Sequence, residues 1–344
     1  MVNKGCLNSL YFRIEFQLMM KNLKAIGGLF FLSILLLSCE KEITVDLPEA
    51  EQQLVIDGRI EQDQPPFVLL STTRNPFDPS GFSGLEGFFL NGAEVRVSDG
   101  LNTVTLDEIC TSDLPEELLP LVAEATGFSP EFIASVDICA YTVLDNSFLG
   151  ELGRTYRLEV NYNGESLSAV TKINQTIPLD SLWFSIPNGG DSLGFAYAIL
   201  SDPDTLGNAY RWSAQRINRY PSWSAHAGEM KDPTYIYPLG SANDDEFFNG
   251  LSFEFGYFRG SFINSTKEDD LNEERGFYKV GDTIAVRGAV IDRGVFKFIS
   301  AMEDQIGTQG SPFATPANLQ GNINGGIGLW AGYGVVYDTI ICTP

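Results

Sequence analysis

Side-chain alternation of period two constrains this chain more than any other feature. Thr155-Tyr156-Arg157-Leu158-Glu159-Val160 sets Tyr156, Leu158 and Val160 against Thr155, Arg157 and Glu159, and after Asn163-Gly164 the pattern resumes from Ser166 to Lys172. Successive side chains of a strand point to opposite sheet faces, so such a segment buries one face and wets the other. Asn-Gly suits the positive backbone dihedrals of a tight hairpin turn. A second hairpin runs from Ala93 to Ser98, turns at Asp99-Gly100 and returns from Leu101 to Leu106. Leu54 to Gly58 and Phe67 to Leu70 read as the first two strands. These segments predict an immunoglobulin-like, antiparallel sandwich over residues 54–176.

Between Cys110 and Cys139 the period changes. Pro115-Glu116-Glu117-Leu118-Leu119 and Ser129-Pro130-Glu131-Phe132-Ile133 each open like a short helix with proline at its first position, where the missing N–H is no loss. Residues 110–139 thus read as a helical excursion from the sandwich. A Cys110–Cys139 disulfide would staple it there, closing a loop of about 30 residues worth on the order of 3 to 4 kcal/mol by chain entropy. A bridge involving Cys342, or buried free thiols, is the alternative, since spacing does not choose the connectivity.

The second half, 177–344, opens at Asp180-Ser181-Leu182-Trp183-Phe184. Strands are expected at Phe195 to Leu200, Ala209 to Arg216, Leu251 to Phe258 and Thr283 to Ile291, separated by Gly, Pro, Asn and Asp clusters. One helix is expected from Asp292 as cap, through Val295, Phe296, Phe298, Ile299 and Met302, to Gly307 as stop; its apolar spacing of three and four would dock one face on a sheet. Gly325 to Ile341 reads as a glycine-broken strand pair. The expected fold is mainly β: the sandwich, then a larger β-rich domain, sandwich or partly closed barrel, with one docked helix.

Ahead of the strands, Lys21 and Lys24 precede an apolar stretch from Ala25 to Leu37 that ends in Leu36-Leu37-Ser38-Cys39. A basic start, an apolar core too short for a comfortable span and small residues before a cysteine are the marks of a lipoprotein signal. Cys39 is the expected lipidation site and mature residue one. At roughly 0.8 kcal/mol per buried methylene, several acyl chains make a lasting anchor. Residues 1–38 are read as an upstream segment and signal peptide, with translation expected to begin at Met19 or Met20. Residues 39–53 are a lipidated tether, and its Glu40-Lys41-Glu42 resembles signals that direct lipoproteins to the outer face of the outer membrane; a plain solvated linker is the alternative.

The whole chain carries a formal charge of −23. Residues 1–38 hold four basic side chains and one acid, so the remainder holds 18 against 44, a charge of −26. Such a surface repels phosphate backbones, which excludes nucleic acid as a partner.

Little in the chain points to catalysis. The one histidine, His226, lies in a Pro-Ser-Trp-Ser-Ala-His-Ala-Gly loop with no nucleophile elbow. No phosphate loop or dinucleotide fingerprint follows a strand. Runs such as Asp244-Asp245-Glu246 and Glu268-Asp269-Asp270 are read as solvated loops. The chain is therefore read as a non-enzyme, with no cofactor and no metal ligand set. Calcium alone stays open, because Asp202-x-Asp204 with Gly207 resembles a calcium loop, although Leu206 stands where a third oxygen is wanted. Aromatics in Pro-rich loops are the best clue to ligand or partner contact, and Tyr220, Trp223, Tyr235 and Tyr237 are the candidates. Tyr220-Pro221-Ser222-Trp223 is expected to be exposed, and Trp212 to be core.

Cys39-Glu40-Lys41-Glu42-Ile43 with Leu47-Pro48-Glu49-Ala50 and Leu54-Val55-Ile56-Asp57-Gly58, Asn91 to Val97 and Gly153 to Leu158 resemble a Bacteroidota-type family of outer-membrane lipoproteins described only as a domain of unknown function. The likeness continues through Ile177 to Ser181, Asp202-Pro203 with Asn208 to Arg211, and Pro312 to Asn318 with Gly325 to Gly328. Residues 110–139 fall outside it. The resemblance implies a lipid-anchored cell-surface protein, encoded beside a SusC-like TonB-dependent receptor and assisting that transporter in nutrient uptake. It brings no catalytic residues. A surface glycan-binding or adhesin-like module, taking a glycan or other small nutrient, is the second reading.

Overall fold

The computed structural model describes residues 52–73, 88–119, 122, 126, 128, 130–224, 226–232, 234–260, 276–308, 319 and 321–344. Cys39 with nearly all of its tether, the run Glu268-Asp269-Asp270 and the segment Pro312 to Asn318 lie outside them. In chain order the strands of the first half are β1 (Leu54–Glu61), β2 (Phe67–Thr72), β3 (Glu94–Ser98), β4 (Thr103–Thr105), β5 (Asp107–Cys110), β6 (Cys139–Thr142), β7 (Thr155–Tyr162) and β8 (Glu165–Lys172), with helix α1 (Pro130–Ser135) between β5 and β6. The second half has β9 (Ser181–Ser185), β10 (Leu193–Ser201), β11 (Ala209–Arg216), β12 (Ala242–Asp244), β13 (Ser252–Tyr257), β14 (Tyr278–Lys279), β15 (Thr283–Ile291), helix α2 (Arg293–Thr308), β16 (Ile323–Asn324) and β17 (Ile327–Ile341).

The molecule is mainly β and sandwich-like, and the described strands close no barrel. Its backbone is a sheet of eight strands in the order β12-β11-β15-β17-β1-β2-β6-β5. A second sheet, β16-β8-β7-β3-β4, lies over one end of it. Both expected hairpins are present, and the β7–β8 turn carries positive φ at Asn163 (47°) and Gly164 (89°), the conformation for which Asn-Gly was read. Between these sheets Ile56, Ile60, Val68, Leu70 and Tyr141 meet Val95, Val97, Tyr156, Leu158, Val160 and Leu167.

The other end of the large sheet is covered on both faces. Even-numbered side chains Trp212, Ala214, Ile284 and Val286 pack on Ala196, Ala198 and Tyr257 of the smaller sheet β13-β10-β14, to whose β10 strand β9 also pairs. Odd-numbered Ala209, Ala289, Ile291, Ala331 and Val335 pack under Val295 and Ile299 of α2. The helix forms over the expected span. Asp292, however, uses its carboxylate across the fold: it accepts from Thr171 Oγ1 at 3.3 Å, Lys172 N at 3.1 Å and Asn174 Nδ2 at 3.1 Å. Asp292 stands at the cap position, its carbonyl accepting from Phe296 N at 3.0 Å, and its carboxylate ties the helix start to the end of β8.

Residues 110–139 form an excursion with short 3₁₀ turns at Thr111–Asp113 and Glu116–Leu118 and the helix α1. Cys110 and Cys139 face each other in the β5–β6 register and are disulfide-bonded, as expected. Ile133 and Ile138 pack with Leu69, and Phe128 and Phe132 cover them.

Two expectations change. Gly325 to Ile341 is not a broken pair, since β17 runs unbroken for 15 residues, antiparallel to β15 and, unexpectedly, parallel to β1. Its glycines mark close approach rather than breaks. A Cβ on Gly332 would lie 2.3 Å from Lys172 O, and one on Gly334 would lie 2.1 Å from Asn174 O, where the β8–β9 connection crosses the strand. The division at 176/177 also does not separate two sheets. The cores fall on either side of it, but β17 contributes Trp330 to the first and Val335 to the helix-covered one, and residues 51–344 form a single compact unit.

Gly332→Ala is expected to cost at least about 2 kcal/mol, because backbone cannot yield as a side chain can. Gly288→Ala, whose added methyl would meet only Val336 Cγ2 at an ordinary 3.4 Å, should stay within about 1 kcal/mol of wild type. Urea unfolding of the two variants measures the contrast.

Candidate functional site

The odd face of the large sheet that α2 covers continues past the helix into a cluster of arginines and tyrosines. Alternation puts Arg59 and Glu61 of β1, Arg211 of β11, Arg287 of β15 and Tyr333 and Tyr337 of β17 on this one face. The register sets Arg287 directly opposite Tyr337, and Glu61 opposite Tyr333. Tyr235 and Tyr237 arrive from the long β11–β12 connection, which lies along β11 through a bridge between Ala214 and Ile236.

That connection is held by buried charge. Arg216 donates to Asp232 through its backbone N (2.8 Å), Nε (3.0 Å) and Nη2 (2.8 Å), with both side chains almost wholly buried. Lys231 Nζ lies 2.8 Å from Asp282 Oδ1. A bidentate pair with a third bond to the same carboxylate satisfies the geometry that a buried ion pair needs to offset its desolvation.

Within the cluster both oxygens of Glu61 are used. Arg287 Nη2 donates to Oε2 at 2.5 Å, and the Tyr337 hydroxyl donates to Oε1 at 2.6 Å. Arg287 Nη1 donates to the Tyr237 hydroxyl at 2.8 Å. The Arg211 guanidinium stacks 4.0 Å from the Tyr237 ring centroid, and its Nη1 reaches the Tyr333 hydroxyl at 3.4 Å. Arg287 is also 5.1 Å from the Tyr333 ring centroid. Guanidinium groups over tyrosine faces gain from the ring quadrupole, most where water is excluded.

Tyrosines here respond to two opposing influences. Burial would push the Tyr237 hydroxyl up, but the charges of Arg287 and Arg211 outweigh it and hold it below the ordinary 10.0. Its hydroxyl end meets the buried Arg287 while 37% of the residue stays exposed. For Tyr337, burial and the neighbouring Glu61 carboxylate act together and push its hydroxyl up. In a chain of charge −23, this face gathers cations and aromatic rings, and Tyr237 and Tyr337 present ring surface outward. Such a face suits planar, hydroxyl-rich or anionic groups and protein anchors.

Of the four aromatic candidates, the structure brings Tyr235 and Tyr237 into this cluster, with the Tyr235 ring 6.0 Å from that of Tyr337 and tilted 55° to it. Trp223 stands apart on the connecting loop, 85% exposed. Tyr220 is corrected: it is 6% exposed rather than open, because its ring is enclosed by His226 at 5.5 Å and Lys231 at 5.9 Å. Trp212 is core, as expected. Arg59, Glu61, Arg211, Arg287 and Tyr337 were not singled out from sequence. The one available signal was Arg287, a lone charge within the apolar run Thr283–Ile291.

Elsewhere, His226 Nδ1 lies 3.5 Å from Glu229 Oε2, and the Ser224 hydroxyl accepts from the His226 backbone N–H. Cys110, Asp137 and Cys139 come close enough to hold a metal, but the two sulfurs are bonded to each other and are not thiolates. Cys342 is buried, and burial with Asp282 nearby pushes its thiol up to about 12. No protein-family model matches the chain, and no curated protein matches it.

Two outcomes test this site. Glu61→Gln leaves the buried Arg287 without its counter-charge and should cost about 3 kcal/mol in urea unfolding. In an alkaline absorbance titration, Tyr237 should ionise below 10, a step that Tyr237→Phe removes. The folded pKa is the lower one, so between it and the unfolded value the folded state binds fewer protons. This group should therefore add stability as pH rises through that window.

Proposed function

We propose that this protein is a non-enzymatic lipoprotein of the outer membrane, anchored at the cell surface through acyl chains on Cys39. In this reading it assists a SusC-like TonB-dependent transporter in nutrient uptake. The observation that carries it is the run Leu36-Leu37-Ser38-Cys39 behind a basic, apolar leader. The Cys110–Cys139 disulfide is in keeping with an oxidising envelope compartment. The family resemblance supplies the transporter, and the arginine–tyrosine face offers a rigid surface for contact with it or with its cargo. Built on four strands rather than on loops alone, that face is preorganised, which lowers the entropy lost on binding.

The exposed Trp223 favours one second reading, a glycan-binding or adhesin-like module. A flat indole in a loop is a natural sugar platform.

The test is gentle detergent extraction of the tagged protein from native outer membranes, followed by mass spectrometry of what is recovered with it. Stoichiometric recovery of a TonB-dependent barrel is expected. Recovery of the lipoprotein alone, under conditions that keep known receptor complexes together, would sink the transporter role. Glycan binding that Trp223→Ala abolishes would then establish the second reading.

A further inference from the structure

One guanidinium of the arginine–tyrosine face has no counter-ion. Glu61 serves Arg287, and its two oxygens are taken by Arg287 Nη2 and the Tyr337 hydroxyl. Arg211 makes other contacts: its Nη1 donates to the Tyr333 hydroxyl at a long 3.4 Å, and the group lies 4.0 Å from the Tyr237 ring centroid. Among the described residues it pairs with no carboxylate. Its Nε is closed to solvent and meets no acceptor there. The residue as a whole is only half-buried, however, and Nη2, equally without an acceptor, is not closed.

Positive charge is concentrated around this group. Burial alone would raise the Tyr237 hydroxyl, yet the charges of Arg287, Arg211 and Arg59 together hold it below the ordinary 10.0. A half-buried guanidinium is screened less than one in open water, so an arriving anion is held more firmly there. The planar fork of arginine matches a carboxylate at two points. Beside this cation stands open ring surface. Arg287 Nη1 joins the Tyr237 hydroxyl at 2.8 Å, and Glu61 joins Arg287 to Tyr337, whose side chain is 57% exposed. A small inorganic anion would use the cation and leave the rings wet. A neutral sugar would cover a ring and leave Arg211 unpaired. A ligand that does both carries a carboxylate and a flat apolar face on one rigid frame.

We infer that this face binds a sugar acid, a pyranose bearing a carboxylate, with the carboxylate on Arg211 and the apolar side of the ring against Tyr337. The inference deepens the nutrient-uptake reading, on which it rests for the ligand's role as cargo; binding itself does not need the transporter. The chain's overall charge of −23 does not forbid an anion here. At physiological salt the Debye length is about 8 Å, so distant acids are screened while Arg211 acts at contact. Glu61 does not compete for Arg211, because both its oxygens are already bonded elsewhere.

The test is isothermal titration calorimetry of the full-length protein in detergent with galacturonate, glucuronate and trigalacturonate, and with galactose, acetate and inorganic phosphate for comparison. At least one sugar acid is expected to bind in the sub-millimolar range, and galactose, acetate and phosphate at least about tenfold more weakly. Arg211→Gln should weaken the sugar acid at least about tenfold. Arg157→Gln, which removes an exposed arginine paired with Glu159 on another sheet, should leave binding unchanged. Bound sugar acid should also move the alkaline ionisation of Tyr237 to higher pH, because it adds negative charge nearby, and Arg211→Gln should abolish that movement. Should Arg211→Gln fail to fold, Tyr337→Ala is the second variant and should weaken binding severalfold. No binding of any of the three sugar acids at millimolar concentration, acetate or phosphate binding as tightly as they do, or an equal loss in Arg157→Gln overturns the assignment. A protein that recovers the TonB-dependent barrel yet binds no sugar acid overturns this inference and leaves the transporter reading standing; sugar-acid binding without the barrel does the reverse.

Discussion

The close approach of backbone to backbone at β17 is the constraint on which the rest of the structure depends. This strand is hydrogen-bonded to β1 on one side and β15 on the other, so the two ends of the eight-stranded sheet are joined through it. Trp330 shows how tight the fit is. Its ring is fully buried in the first core, its Nε1 donates to Tyr156 O at 3.1 Å, and its register partner is Gly58, where a Cβ would lie 2.8 Å from the indole. Glycines at 332 and 334 then let the β8–β9 connection cross the same strand at a distance no side chain allows. A few cubic ångströms at three positions decide whether two sandwiches share one sheet.

The arginine–tyrosine face follows from that arrangement. Glu61, Tyr333, Tyr337 and Arg287 belong to strands far apart in sequence, and they meet only because β17 lies between β1 and β15. Asp292 reinforces the same junction, joining the start of α2 to Thr171, Lys172 and Asn174. Charge here does geometric work. Ion pairs at a wet surface contribute little, but Arg287 with Glu61 and Arg216 with Asp232 are enclosed: the first pair holds the Tyr237 and Tyr337 hydroxyls, and the second ties the β11–β12 connection to β11.

What the sequence made legible was local. The β3–β4 and β7–β8 hairpins, the helical turns of the excursion, the Cys110–Cys139 pair and helix α2 all depend on residues near one another in the chain. Their turn chemistry and periodicity sufficed. What stayed hidden was non-local. Glycine in Ile327–Ile341 looks the same whether it breaks a strand or admits a neighbour, and no periodicity reveals that β1 and β17 run parallel. The site was half visible: Tyr235 and Tyr237 stood out as loop aromatics, whereas Arg59 and Arg211 looked like ordinary outward charges of half-buried strands. Tyr220 was misread because a Pro-rich loop can fold back on itself, and here it does so around Lys231 and His226.

Through β17, residues 51–344 form one cooperative body despite their separate cores. Native-state hydrogen exchange followed across a denaturant series tests it most directly. Amides of β7, β10, β15 and β17 are expected to exchange through a common global opening, with β17 among the most protected. Separate opening energies for β7–β8 and for β10–β13, with β17 following only one of them, would contradict it.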